Sequence, residues 1–164
     1  MVAALCPTCS LCCNGVLHRW TRVFPGEEAL LERLGLERVV RDGTPCFDQP
    51  CPRLAEPLCT VYADRPRTCR TYHCALLQKV EAGTVDVAAA QRDIAAARAA
   101  IDRIRAALSL PAGATPWPAV TALLEALAAA PDPTAARREH AKLLADVATL
   151  ELLARARFLP PPNP

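Results

Sequence analysis

Apolar residues recur with a helical period along one long stretch in the second half of the chain. Between Val87 and Leu108 they are spaced three or four residues apart, which places them along one narrow face of a helix. These positions are Val87, Ala90, Ile94, Ala97, Ile101, Ile104 and Leu108. The alanines permit a second helix to approach closely, and Pro111 ends the pattern. The sequence therefore predicts a long helix whose small-residue face packs against another helix.

Two more helices are predicted after this one. The segment "WPAVTALLEALAAA" indicates a shorter helix, with Pro118 tolerated in its first turn and Pro131 at its end. A last helix is expected to begin with Asp132 as N-cap, followed by Pro133, and to run to about Phe158. Its predicted inner face consists of Ala136, His140, Leu143, Val147, Leu150 and Ala154. These helices predict an antiparallel helical hairpin or a three-helix unit.

The first half of the chain shows shorter elements. The segment "PGEEALLERLG" predicts a short helix, with Glu27 and Glu28 in its first turn and Gly35 at its C-terminal cap. A further helix is expected over residues 72–82, ended by Gly83. Between them, short strands and turns are expected, because turn signals recur at Asp42-Gly43, Gln49-Pro50, Glu56-Pro57 and Arg65-Pro66.

An α-rich, mixed α+β fold follows from these elements. Residues 1–83 are predicted to form a small irregular module with short helices and turns, which carries all of the cysteines. Residues 84–158 form the predicted alanine-rich helical region, and residues 159–164 a proline-rich tail. A chain of 164 residues is long enough to bury a core of its own.

Charge excludes two classes of partner. The net charge is +2 with both signs interspersed, so no long-range field directs the protein to nucleic acid or to an anionic membrane. Only "MVAAL" precedes the first cysteine, without the basic and apolar regions of a secretory signal, and no apolar run is long enough to span a bilayer. We therefore expect a cytoplasmic protein. Its expected partner is another protein, or a second copy bound through the alanine-rich helices.

The nine cysteines lie in the first 74 residues, and the rest of the chain has none. They are Cys6, Cys9, Cys12, Cys13, Cys46, Cys51, Cys59, Cys69 and Cys74. In a reducing compartment, clustered cysteines are more often metal ligands or redox groups than disulfides, and an odd number does not favour full pairing. The chain is therefore predicted to bind metal through its first half.

Spacing suggests which metal centres these thiols form. Cys6, Cys9 and Cys12 follow the C-x2-C-x2-C spacing that places three thiolates on one iron–sulfur cluster, with the fourth ligand from elsewhere. Cys13 follows directly, and neighbouring side chains point apart, so it is either a ligand of a second metal or a free thiol.

Four later cysteines form the second group, with seven, nine and four residues between them. They are Cys51, Cys59, Cys69 and Cys74, which either close a tetrahedral zinc site or lend one thiolate to the cluster. The paired C-x2-C knuckles of a zinc ribbon are missing, which favours a 4Fe-4S cluster, with zinc as the alternative cofactor.

Two neighbouring residue types bear on this site. Arg65, Arg67 and Arg70 surround Cys69, where their charge would favour the thiolate unless they are ordinary surface residues. His73 precedes Cys74 and is a candidate nitrogen ligand, since imidazole suits zinc and iron alike.

Three functions remain open from the residues alone. The first is an iron–sulfur protein that transfers electrons or assists modification of a partner. The second is a zinc-stapled structural or interaction module without catalysis. The third is a small enzyme that uses a free thiol, Cys13 or Cys46; whether the chain is an enzyme stays open, because no P-loop, G-x-S-x-G, H-E-x-x-H or dinucleotide motif is present.

The complete cysteine pattern resembles the YkgJ-type cysteine-cluster family, described as a zinc- or iron-chelating domain. Its signature, CxxCxxCC followed by C-x-x-L, C-x-[IV]-Y, RP and C-R-x-[FY]-x-C, is matched by "CPTCSLCC" and "CPRLAEPLCTVYADRPRTCRTYHC". The resemblance implies that the metal ligands are Cys6, Cys9, Cys12, Cys13, Cys51, Cys59, Cys69 and Cys74. The same domain occurs in flagellin lysine N-methylases, which the resemblance links to an iron–sulfur centre. Those enzymes are much longer, and this chain shows no S-adenosylmethionine site.

Overall fold

The computed structural model describes residues 5–160, which form a helix-rich, mixed α+β fold. The helices are α1 (Leu5–Cys9), α2 (Glu28–Arg33), α3 (Arg67–Thr71), α4 (Ala75–Glu81), α5 (Val87–Ala107), α6 (Trp117–Ala128), α7 (Pro133–Glu139) and α8 (Ala141–Leu153). The strands are β1 (Trp20–Arg22), β2 (Val39–Arg41), β3 (Thr44–Asp48), β4 (Leu54–Ala55) and β5 (Leu58–Cys59). Among the described residues, no helix has both the length and the apolar character needed to cross a membrane.

An antiparallel helical hairpin or three-helix unit was predicted, and in the structure α5 packs along α8, with α6 and α7 between them in the chain. Asp86 caps α5 by accepting a hydrogen bond from the backbone N–H of Ala89 at 2.7 Å. The predicted face of α5 is buried from Ala90 to Ile104, and it packs along α8. Ion pairs join Arg103 to Asp146 and, further back along α5, Asp93 to Arg157. Residues earlier in α5 therefore pair with residues later in the last helical segment, so the two helices are antiparallel.

The last helix is interrupted, where one continuous helix was predicted from Pro133 to Phe158. It breaks at His140 between α7 and α8 and ends in a π-helical turn, Ala154–Phe158. The ring Nδ1 of His140 lies 3.1 Å from the carbonyl oxygen of Ala136, the group that the backbone N–H of His140 would bond in a regular helix. This local contact accompanies the break, while Leu143, Val147 and Leu150 keep their predicted buried positions.

The cysteine-bearing half contains two small antiparallel sheets. Strands β1, β3 and β2 form one sheet in that order, and β4 and β5 form a hairpin. The predicted Asp42-Gly43 turn joins β2 to β3, and both residues have positive φ, 47° and 73°, as a two-residue hairpin turn requires. The predicted helix α2 is also present, and Gly35 follows it at φ 58°.

One helix begins later than predicted, and two short helices were not predicted. The helix expected from Tyr72 begins only at Ala75, because Tyr72 and Cys74 are both extended, with ψ of 123° and 164°. Helices α1 and α3 were not predicted as helices. Each has five residues, which is too short to show a helical period in the sequence.

The main hydrophobic core draws on both halves of the chain. Leu11 and Val16 come from the first cysteine segment, and α4 contributes Leu76, Leu77 and Val80, beside the inner faces of α5 and α8. A smaller core lies under the three-stranded sheet and is formed by Val23, Leu31, Leu34, Leu36 and Phe47. The predicted division at residue 83 stays a prediction, and the main core runs across it.

Truncation in the main core tests this packing. Ile104 is 0% exposed, so Ile104→Ala is expected to lower the free energy of unfolding by about 2–5 kcal/mol, through lost apolar contact and the cavity left behind. Leu152, which is 69% exposed on α8, supplies the matched control, because Leu152→Ala removes little buried surface. Urea denaturation followed by circular dichroism measures both. Equal losses in the two variants would contradict the assignment of this core.

Candidate metal centre

The first four cysteines lie on α1 and on the turns that follow it. Cys6 and Cys9 are three residues apart on α1, so they share one face of the helix. Ser10 has a φ of 61° and turns the chain, and the backbone N–H of Asn14 bonds the carbonyl oxygen of Ser10 at 2.8 Å. Cys12 and Cys13 lie inside this turn. The short helix and the turn thus direct four thiols from eight residues into one region.

The later cysteines reach the same region from three separate segments. The backbone N–H of Cys51 bonds the carbonyl oxygen of Cys13 at 2.8 Å. Cys59 pairs with Leu54 in the β4–β5 hairpin, which contacts α1. Cys69 lies on α3, and Cys74 is the residue immediately before α4.

Seven of the nine cysteines line one cavity of about 280 Å³. They are Cys6, Cys9, Cys12, Cys13, Cys59, Cys69 and Cys74. Cys51 lies beside this group through its bond to Cys13. Cys46 does not line the cavity, because it is 0% exposed inside β3. The cysteine separated from the other eight is therefore the one that the family signature does not include.

The thiols fall into two sets of four according to which of them lie near one another, as shown by the thiol neighbours that, after burial, contribute to the raised pKa values. In the first set, Cys74 raises the pKa of each of Cys6, Cys9 and Cys12. In the second set, which comprises Cys13, Cys51, Cys59 and Cys69, the other three members raise the pKa of Cys13. Cys69 is likewise affected by Cys51 and Cys59. The sets adjoin where Cys13 lies near Cys6 and Cys12.

Packing separates the same two sets. Cys9 and Cys74 pack against the main core, whereas Cys51 and Cys69 pack against the smaller core under the sheet. Each set is therefore attached to a different part of the hydrophobic interior.

Burial keeps these thiols protonated. It raises the pKa of Cys9, Cys13 and Cys69 from the usual 9.0 to about 12, with neighbouring thiols adding to the effect. Arg65 acts in the opposite direction on Cys69, as the sequence suggested, but burial outweighs it. A cation among the thiols would reverse this balance, because metal binding displaces the thiol protons.

Several buried polar atoms around the cavity have no hydrogen-bond partner among residues 5–160. They are Oγ of Ser10, Nε2 of His18, Oε1 of Gln49 and the hydroxyl of Tyr72, and all four residues line the cavity. The rings of His18 and Tyr72 meet edge to face, with their centroids 4.8 Å apart. Hydroxyl and N–H groups are donors that metal-bound sulfur can accept from.

The donor chemistry of these thiols fits a thiolate-bound metal. Within the described part of the chain, no group of three or more His, Cys, Asp or Glu side chains is placed so that it could hold a metal ion as it stands. Neutral thiols have no charge that would draw them to a common point. A metal would supply that attraction for Cys6, Cys9, Cys12 and Cys74, and equally for Cys13, Cys51, Cys59 and Cys69.

The predicted arginines differ in their placement. Arg65 lines the cavity, donates from Nε to the carbonyl oxygen of Tyr62 at 2.7 Å, and holds its guanidinium 3.5 Å from the centre of the Tyr62 ring. Arg67 stacks instead on Phe24, at 4.7 Å, and Arg70 is exposed on α3. Only Arg65 of the three is therefore positioned to act on the thiols.

The histidines are placed differently from what the sequence suggested. His73, the candidate nitrogen ligand, is an exposed residue whose Nδ1 lies 2.9 Å from a carboxylate oxygen of Glu81. His18 lines the cavity, and burial lowers the pKa of its imidazole. No spacing in the sequence distinguished His18 or Ser10, whereas Tyr72 belongs to the family signature.

A reactive free thiol finds no support in this geometry. Nucleophilic cysteines are accessible and have a lowered pKa. Cys46 is fully buried, and burial raises the pKa of Cys13 to about 12.

The comparison with protein families agrees with the site. Residues 5–93 match the model of the CxxCxxCC family, described as "Putative zinc- or iron-chelating domain". The chain belongs to this family. It is accordingly a cysteine-rich metal-binding protein, and the matched segment contains all nine cysteines and ends within α5. Neither the curated proteins nor the solved structures contain a match to this chain.

The raised thiol pKa values predict a stability that falls with pH in the metal-free protein. Because Cys9, Cys13 and Cys69 have a pKa of about 12 when folded and 9.0 when unfolded, folding favours the thiol form. This contribution is complete below pH 9.0 and is lost as the pH rises towards 12. Peptide-resolved alkylation rates measured against pH should show these thiols ionising at higher pH than in the urea-unfolded chain. Identical titration in both states would contradict their burial.

Proposed function

We propose that the chain binds metal at two adjacent centres, each held by four cysteines. The first centre consists of Cys6, Cys9, Cys12 and Cys74, and the second of Cys13, Cys51, Cys59 and Cys69. The observation that carries the proposal is the division of the eight thiols at or beside one cavity into these two sets, which also pack against different cores. The division supports Cys74, among the four later cysteines, as the fourth ligand of the first centre, and Cys13 as a ligand of the second.

For the first centre we propose a 4Fe-4S cluster, which supplies one-electron redox chemistry when bound. The C-x2-C-x2-C spacing of Cys6, Cys9 and Cys12 supports this choice, as does the unpartnered Tyr72 hydroxyl near the thiols of Cys12 and Cys74. Hydrogen bonds to cluster sulfurs and exclusion of water are both means by which a protein tunes the potential of such a centre. Leu11 and Leu17 add apolar surface to the cavity wall.

Such a protein would exchange electrons with a partner, or assist its modification, in the cytoplasm. Cys6 is the exposed member of the first set, so the centre would approach the surface there. Arg22 and Arg65 line the same cavity, and no Asp or Glu of the described residues does. This supports a partner protein that presents acidic groups to the mouth of the cavity.

The alternative is a zinc-stapled structural module without catalysis, and one observation favours it for the second centre. The core under the three-stranded sheet contains only five fully buried apolar residues, and Cys51 and Cys69 pack against it. A core of this size supplies little of the free energy of folding. A tetrahedral zinc ion bound by the second set would supply additional folding free energy.

Metal analysis with an ultraviolet–visible spectrum separates the two cofactors. Protein purified without oxygen is expected to contain iron and sulfide in about equal amounts and to show broad thiolate-to-iron charge-transfer absorption. Zinc alone with a featureless spectrum would overturn the electron-transfer proposal and support the zinc alternative. A chain that binds neither metal would overturn both.

Substitution of one cysteine tests the assignment of the first centre. Cys74→Ser is expected to remove the metal of the first set and its absorption, since a tetrahedral site loses one thiolate, while the second set retains its metal. Cys46→Ala is the control, because Cys46 is buried away from the cavity. Metal content per chain and the spectrum of each variant measure the result. Full metal content in Cys74→Ser would rule out this ligand set.

A further inference from the structure

One buried arginine of the helical half reaches into the cysteine-bearing half. Arg105 lies on α5 and is only 6% exposed. Its Nη1 and Nη2 donate to the two carboxylate oxygens of Glu56, at 2.7 and 3.0 Å. Its Nε donates to the carbonyl oxygen of Ala114 at 2.7 Å, in the loop before α6. This two-point contact fixes both the distance and the orientation between the two halves.

Glu56 connects this arginine to the segments that carry the second cysteine set. It lies in the turn of the β4–β5 hairpin, between Cys51 and Cys59. Its Oε1 also accepts a hydrogen bond from Nδ2 of Asn14 at 3.4 Å. Asn14 is 1% exposed and directly follows Cys13.

The chain of contacts from Arg105 through Glu56 to Asn14 therefore joins two separate segments. These segments carry three cysteines of the second set, Cys13, Cys51 and Cys59. Asn14 is held from its other side as well, since its Oδ1 accepts the backbone N–H of Val16 at 3.1 Å.

The ion pair of Arg105 and Glu56 is largely shielded from solvent, which strengthens the attraction between its charges. Although burial acts to raise the pKa of Glu56, the hydrogen bonds and charge of Arg105 hold that pKa below its usual range, so the carboxylate stays ionised. The Arg105 guanidinium is the buried member of the pair, and apart from Glu56 its nearest carboxylate is that of the exposed Asp102, at 3.6 Å. Loss of Glu56 would therefore remove the close partner of a buried charge. The first set is attached to α5 differently: Arg98 donates from Nη1 to the backbone carbonyl of Thr8 at 3.0 Å, and Cys9 and Cys74 pack against the main core.

We propose that Arg105 is a positioning residue for the second cysteine set, so that the helical half forms part of the scaffold of that metal centre. Arg105 lies outside residues 5–93, the segment that matches the family. The support would thus come from a part of the chain that the family signature does not include. This inference rests on the proposed metal binding by the second set.

A matched pair of arginine variants tests the proposal. Arg105→Gln removes the ion pair with Glu56, whereas Arg103→Gln removes the ion pair with Asp146, which joins only α5 to α8. Each protein is loaded with Zn²⁺, challenged with increasing chelator and then alkylated, and the protection of every cysteine is read by peptide mass spectrometry.

We expect a selective effect on the second set in Arg105→Gln. Cys13, Cys51, Cys59 and Cys69 should lose protection at about 10- to 100-fold lower chelator concentration than in the unaltered protein, as is typical when a group that supports metal ligands is removed. Protection of Cys6, Cys9, Cys12 and Cys74 should not change, and Arg103→Gln should match the unaltered protein in both sets. A merely structural role would weaken both sets together.

The remaining outcomes separate this inference from the proposed function. Unchanged protection in Arg105→Gln, or an equal loss in both sets, would overturn the positioning role while leaving two-centre binding intact. Absence of protection at the second set in the unaltered protein would overturn the proposed second centre itself. If Arg105→Gln does not fold, Glu56→Gln, which keeps the shape of the side chain, is measured in the same way. The same selective loss would then support the proposal, and no shift would overturn it.

Discussion

Close packing on the small-residue face of α5 brings the rest of the molecule around one core. Ala90, Ala97 and Ala100 are at most 1% exposed, so neighbouring elements approach the helix backbone closely. Helix α8 packs along α5 in antiparallel orientation, and α1 and α4 contact it from the cysteine-bearing half. Because α1 carries Cys6 and Cys9, the position of the first thiols depends on this apolar packing.

Metal binding by the thiols requires charge in the interior, whereas the packing on α5 requires apolar surface. Eight of them lie at or beside one cavity, where burial and mutual repulsion oppose the thiolate form that metal binding needs. A bound cation resolves this conflict, since it compensates the charge that the low-dielectric interior does not. Metal binding and completion of the fold are then expected to be coupled in the half with the smaller core.

The two halves are held together by different forces. Apolar contacts join α4 and the first cysteine segment to α5, while the buried pair of Arg105 and Glu56 adds a directional contact at the β4–β5 hairpin. Apolar packing tolerates small displacements, whereas a two-point ion pair specifies one orientation. The two-point ion pair lies beside the segments that carry Cys13, Cys51 and Cys59.

Local information in the sequence was enough to predict the long helix α5, the Asp42-Gly43 turn and the N-cap Asp132, because each depends on residues a few positions apart. The C-x2-C-x2-C spacing and the family signature likewise predicted metal binding, which the family match confirms. The five-residue helices α1 and α3 escaped prediction, because a single turn has no measurable period. The break at His140 was missed since the residues on either side continue the apolar pattern.

Only the tertiary structure showed which cysteines lie near one another. Cys12 and Cys13 are adjacent in sequence, yet Cys13 lies near Cys51, Cys59 and Cys69, and Cys74 lies near thiols more than sixty positions earlier in the chain. The contact of Arg105 with Glu56, 49 residues away, has no signal in the sequence at all. Spacing along the chain determines which thiols share a turn, but partners from distant segments meet only after the core has packed. The sequence by itself therefore determined the class of chemistry, and the fold determined which thiols lie near one another.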